Sequence, residues 1–191
     1  MTEMEQYRMA VKEYASKNID YLFHNQGDEH ALIILTNLFM NAKDHVRIAA
    51  NKLYNDEVVN TKDYIDSMRS FLDRNDTKLS ILITRKPSKD EIKNSPKENT
   101  FYWMLFNHPA YSQGRVEIKE GKGKSFYDKD GQQINFCTGD DKMYRLENAI
   151  VERKAIANFG DSEMTGKLIE TFDRVFPIID SVVELKDFYV E

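Results

Sequence analysis

Leu79–Thr84, LSILIT, is an almost unbroken apolar run of strand length. A strand of that kind has both faces covered, as a central strand of a parallel sheet does. Helices therefore have to lie on both sides of it. The preceding sequence supplies them. Asp28 is placed as the N-cap of a helix EHALIILTNLFMNAK that is apolar on most sides, as a core helix is. His45–Ala50, HVRIAA, predicts a second strand. Asn55–Asn60 predicts a turn into a further helix, with Tyr64, Met68, Phe71 and Leu72 at helical spacing. Helix, strand, helix, strand is the order of an α/β fold with a mixed β-sheet flanked by helices.

The rest of the chain extends that frame. Apolar residues Met4, Tyr7, Val11, Tyr14, Ile19 and Leu22 predict one helix over 2–25, ended by Gly27. Residues 85–100, RKPSKDEIKNSPKENT, are polar with two prolines and read as the longest loop and the best candidate for mobility. Phe101–His108 predicts a short aromatic helix, packed in the core or presented to a partner. Arg115–Lys119 alternates as a strand. Asp130-Gly131 is a favoured two-residue hairpin turn between Ser125–Asp128 and Gln132–Phe136. Asp161 is placed to cap a last helix with Leu168, Phe172 and Phe176 on its apolar side, ended by Pro177.

Composition excludes several classes. A chain of 191 residues with net charge -5 suits one domain and argues against general nucleic-acid binding, which draws on many Lys and Arg contacts to phosphate. The single cysteine, Cys137, excludes an internal disulfide and a cysteine zinc site. No apolar run approaches the roughly 20 residues of a membrane span. The opening MTEMEQYRMAVKEY is too charged for a secretory signal, which predicts a cytoplasmic protein.

The chemistry-bearing residues gather in 134–161, INFCTGDDKMYRLENAIVERKAIANFGD. The candidate polar site is Asp140, Asp141, Arg145, Glu147, Glu152 and Asn158. Four carboxylates in thirteen residues suggest a magnesium site for phosphodiester hydrolysis, but no pair has a spacing that demands a metal, so no metal or cofactor is expected. Arg145 beside Glu147 also reads as a partly buried ion pair fixing two strands. Lys119, Lys122 and Lys124, around EGKGK, form a weak anion-binding candidate that lacks the spacing of a P-loop. With Arg115 they are the cations a nucleic-acid module would use. The histidines, His24, His30, His45 and His108, follow no triad or metal spacing.

The order of elements from 28 to 180, ending in Asn158-Phe159-Gly160-Asp161 and a helix with Leu168, Phe172, Asp173 and Phe176, resembles one lobe of the phospholipase D-like family. The resemblance implies a phospholipase D-like domain over 28–191, with residues 1–27 as an added N-terminal helix. Members of that family cleave or transfer phosphodiesters with His-x-Lys-x-x-x-x-Asp followed by Gly-Ser and Asn, and an active site takes two copies. At the matching spacing this chain has Arg145, Glu147 and Glu152, with Asn158-Phe159 where Gly-Ser would fall. Arg stays protonated and is neither nucleophile nor base, and Glu147 repels the phosphate that Lys attracts. The resemblance thus implies the fold without the family's catalysis. It points to a binding, regulatory or dimerisation module whose partner is another protein or a second copy. An atypical phosphodiesterase or nuclease, or a nucleic-acid-binding module, stands as the alternative.

Overall fold

The computed structural model describes residues 1–123, 125–149 and 154–190. Its elements are α1 (Glu3–Lys17), β1 (Phe23–Gln26), α2 (Asp28–Asn41), β2 (His45–Ala50), α3 (Lys62–Leu72), β3 (Lys78–Ile83), α4 (Lys89–Lys93), α5 (Phe101–Asn107), α6 (Pro109–Ser112), β4 (Val116–Glu120), β5 (Phe126–Tyr127), β6 (Gln133–Gly139), β7 (Met143–Ala149), β8 (Lys154–Asn158), α7 (Ser162–Val175) and α8 (Lys186–Tyr189). The strands form one mixed sheet in the order β1-β8-β7-β6-β2-β3-β4, with β5 beside β6. β3 runs parallel to β2 and β4 and is buried from Leu79 to Ile83, as its unbroken apolar run requires.

Helices cover the two faces unequally. One face carries most of the core, where α2 and α3 bury Leu38, Phe39, Tyr64, Met68 and Phe71 against Val46, Leu79 and Ile81. The other is covered by α7, whose Leu168 and Phe172 meet Ala49, Leu82, Phe136 and Tyr144. Asp173 on α7 also takes two bonds from the Arg47 guanidinium, at 2.8 and 2.9 Å. Such a forked pair fixes orientation as well as distance.

The strand β2 is where the sheet changes character. It is parallel to β3 on one side and antiparallel to β6 on the other. Its pairing with β6 stops at Ala49, and β6 continues beside β5 instead. The C-terminal end of β2 is therefore open on its β6 side.

Several predicted boundaries move. The run expected to be helical over 2–25 ends at Lys17, with Asn18 in the left-handed region at φ 49°. Phe23–Gln26 instead completes the sheet as β1 against β8, burying Phe23 and Asn25 in strand alternation. Sheet pairing here outweighs helical spacing. α2 is capped by Gly27, one residue before the expected Asp28. The 85–100 segment is not one long loop. A capping box between Ser88 and Glu91 opens α4, and a single 3-10 turn follows at Lys97–Asn99. The hairpin turn before β6 spans five residues rather than two, held by Asp128 Oδ1, which accepts from the backbone N–H of Asp130 and of Gln132. The aromatic helix packs inward at Phe101, Tyr102, Met104 and Leu105. Trp103 is covered by Tyr189 of α8, with ring centroids 4.9 Å apart.

Residues 18–21 lie directly on the end of β8. A Cβ at Gly160 would stand 2.5 Å from the Asn18 carbonyl oxygen and the Asp20 backbone nitrogen, so only glycine fits that approach. Asn158 ties the two segments. Its Nδ2 donates to Asp20 at 2.7 Å, and its Oδ1 accepts from the Tyr21 and Gly160 backbone N–H groups at 3.3 and 2.9 Å.

Candidate functional site

A pocket of about 370 Å³ opens at the C-terminal end of β2, on the thick helical face of the sheet. The end of a parallel strand where the sheet changes direction is where α/β folds commonly take ligands. The loop after β2 forms its upper wall. Leu53 is held at φ 52°, a left-handed conformation that costs a branched residue about 1 kcal/mol or more. Asn55 Oδ1 accepts from the Val58 and Val59 backbone N–H groups, bending the loop back. Tyr102 donates to the Lys52 carbonyl at 3.0 Å. Lys52 pairs with Glu91, so α4 is fastened to the rim of the pocket. That bond and the Ser88 backbone hold the Glu91 carboxyl down to about 2.

β7 supplies the floor. Arg145 and Glu147 are two apart on a strand, so they share a face, and both line the pocket. Arg145 Nη2 donates to Glu147 Oε1 at 3.3 Å, and the two side chains are only 9% and 13% exposed. Arg145 Nε donates to Asn25 Oδ1 at 3.3 Å, and Asn135 Nδ2 donates to Glu147 Oε2 at 3.1 Å. The buried ion pair is thus bracketed by two amides, which compensates part of its desolvation. Behind it, Asn25 Nδ2 and the Tyr7 hydroxyl make no hydrogen bond among the described residues. Burial pushes the Tyr7 phenol up to about 12, against the pull of Arg145. Cys137 lines the pocket as well. Burial pushes its thiol well up, which leaves an inert thiol rather than a nucleophile.

The mouth is different. Arg85, two residues beyond β3, lines the pocket and is exposed. Among the described residues no hydrogen bond or ion pair occupies its guanidinium. None of the four histidines lines the pocket. His45, at the start of β2, has Nε2 3.0 Å from Ser80 Oγ on the neighbouring β3, and burial with Arg47 and Lys78 nearby lowers its pKa to about 4.

The candidate residues of 134–161 do not converge. Arg145 and Glu147 meet in the pocket. Asp140 stands at the opposite end of β2, where its carboxylate accepts from the backbone N–H groups of Lys43, Asp44 and His45 at 2.8, 2.9 and 3.1 Å. Asp141 is exposed in the same turn. Asn158 pairs with Tyr144, on the α7 face of the sheet, and holds residues 20–21 as described. Glu152 lies outside the described residues.

The basic candidates also separate. Lys119 points inward, donating to the Phe176 carbonyl at 3.0 Å with its ammonium 4.8 Å from that ring, and it offers nothing to an external anion. Lys122 is exposed in a turn, and Lys124 lies outside the described residues. Arg115 is spent on carbonyls at the end of α3, those of Leu72, Arg74 and Thr77, where a cation is favoured. Among the described residues no group of three or more His, Cys, Asp or Glu is placed to hold a metal ion. Sequence reasoning missed Asn135, Lys52 and Arg85. The signal for Arg85 was its position immediately after the most strongly predicted strand.

No family model matches the chain, and no curated protein matches it. Solved structures do resemble it. TrmBL2, an archaeal chromatin protein that shows a novel mode of DNA binding, superposes with a TM-score of 0.57 at 12% identity over 94% of this chain. This chain spans 63% of TrmBL2. Nuc from Salmonella typhimurium, a phospholipase D family member, gives 0.54 at 10% identity, covering 85% of this chain and 98% of Nuc. Phosphatidylserine synthase from Haemophilus influenzae Rd KW20 gives 0.51 at 11% identity, covering 95% of this chain and 47% of the synthase. At these identities the likeness is one of fold. The chain has the architecture of a phospholipase D-like lobe, an eight-stranded mixed sheet flanked by helices. No helix among the described residues is long and apolar enough to cross a membrane.

Proposed function

We propose that this lobe binds through the pocket at the end of β2 and does not carry out the phosphodiester chemistry of the family it resembles. One observation carries the reading. Arg145 is buried and Glu147 half-buried, and the two are joined to each other and line the pocket at the spacing where the resemblance would put the catalytic His and Lys. A guanidinium held by a carboxylate supplies neither a nucleophile nor a free cation for a phosphoryl group. The test is hydrolysis of bis-p-nitrophenyl phosphate, of plasmid DNA and of phosphatidylcholine vesicles, with and without magnesium. The expected result is no turnover above a boiled control. Turnover that Glu147→Gln abolishes would overturn the reading.

A nucleic-acid partner has an observation in its favour that the acidic composition concealed. Arg85, Lys86, Lys89 and Lys93 are all exposed, on the segment that Lys52 fastens to the pocket rim, with Asp90 the exposed acid among them. TrmBL2 binds DNA on a related fold. Retention on immobilised single-stranded DNA that falls steeply between low and moderate salt supports this partner; retention indifferent to salt counts against it. A second copy of the chain is the competing occupant of the same face. Light scattering on wild type and Arg85→Glu separates the two, because a dimer broken by the variant puts the face at a self-interface.

A further inference from the structure

The proposed binding role fixes a site but not a ligand, and the chemistry of the pocket narrows the ligand class. One wall is apolar, formed by Ile48, Leu53, Tyr54, Val58 and Val59, while Asn51, Lys52 and Asn55 line the pocket as well. Its floor is a short polar row. Arg145 and Asn135 each use one oxygen of Glu147, and a carboxylate accepts about four hydrogen bonds, so Glu147 keeps acceptor capacity. Asn135 Oδ1 accepts no hydrogen bond among the described residues. The floor therefore presents donor and acceptor groups side by side beneath one apolar wall.

That combination discriminates. A polyol carries hydroxyls around its whole rim, and those that face the wall of Ile48, Leu53, Val58 and Val59 are left unpaired at a cost of about 1–3 kcal/mol each. A phosphate at the floor faces the Glu147 carboxylate and is repelled. A flat heterocycle with apolar faces and an edge of alternating donors and acceptors satisfies both constraints. Any anionic group it carries then has to sit at the mouth, where Arg85 is unoccupied.

Resting on the binding reading above, we infer that the pocket takes a nucleotide, with its base edge read by Glu147, Asn135 and Arg145 and its phosphate held by Arg85. A volume of about 370 Å³ accommodates one such unit. The unit is either a free mononucleotide or one nucleotide of a single strand whose further phosphates follow Lys86, Lys89 and Lys93.

Isothermal titration of the full chain tests this with the four ribonucleoside 5′-monophosphates, ribose 5-phosphate, inorganic phosphate and a short single-stranded oligonucleotide. One mononucleotide is expected to bind at least about tenfold tighter than ribose 5-phosphate. Glu147→Gln, which keeps the shape of the side chain, removes the preference among bases. Arg85→Ala, a surface change, weakens every nucleotide by roughly tenfold and keeps the preference. An oligonucleotide that outcompetes the mononucleotide assigns the site to a strand, and one that does not assigns it to the free nucleotide; both support the inference. Equal binding of ribose 5-phosphate, or no nucleotide binding at about 1 mM to protein with a normal melting transition, overturns it. That failure is separate from failure of the functional reading, which only phosphodiester turnover brings about.

Discussion

The two ends of β2 hold the same kinds of residue and use them in opposite ways. At the start of the strand, Asp140 spends its carboxylate on three successive backbone N–H groups, and His45 stands beside Ser80 on the neighbouring β3. Little there remains for a ligand. At the far end, Glu147 and Asn135 keep acceptor capacity, and no hydrogen bond or ion pair among the described residues occupies the Arg85 guanidinium. Acids and bases close together in sequence are thus divided between a clamp and a pocket. What divides them is the length of one strand.

The contrast can be broken most forcefully at the floor of the pocket. Arg145→Ala leaves the half-buried Glu147 without its cation and is expected to cost about 1–3 kcal/mol, seen as a lower urea midpoint. A loss below about 0.5 kcal/mol would mean that water already solvates the pair. Next comes the clamp. Asp140→Ala removes the acceptor of three backbone donors, two of which water can reach, and should cost about 1 kcal/mol, with no change in ligand binding, because the clamp stands at the other end of the strand.

The third test uses pH. The His45 pKa is lowered to about 4 by burial, against an ordinary value near 6.5. The unfolded state then takes up a proton that the folded state refuses. Stability from this site is complete above about 6.5 and is lost as pH falls toward about 4. His45→Gln should flatten that part of the melting-temperature profile, and an unchanged slope assigns it to other groups. The smallest stability effect belongs to Arg85→Ala. The residue is exposed and uncommitted, so unfolding should shift by less than about 0.5 kcal/mol while binding at the pocket falls.

Much of the frame was legible because it rests on periodicity. Leu79–Thr84 announced β3, and Asp161 with Leu168 and Phe172 announced α7. The site was legible only at Arg145 and Glu147, whose i, i+2 spacing on a strand puts them on one face. Asn158 looked like their neighbour, but it is an odd number of residues from Arg145 and its strand pairs antiparallel to β7. That register sends its side chain to the α7 face. Asp140 looked like a ligand because a carboxylate serving as a backbone clamp reads no differently in sequence from one awaiting a metal. The strand β1 was hidden for another reason. Its alternation is short, and its partner lies far along the chain.

That last separation has a consequence during synthesis. Among the described residues β1 pairs with no strand except β8, and residues 18–21 rest on Asn158 and Gly160. On a ribosome adding about 5–20 residues per second, the segment from Asn18 to Gln26 emerges and then waits on the order of ten seconds for its seat to be made. Tyr21 and Phe23 have only each other and the rings of Tyr7 and Tyr14 on α1 to pack on before β8 and Phe159 arrive. The first strand of the fold is therefore among the last to be placed, and a chain stalled before Asn158 presents it to whatever else is near.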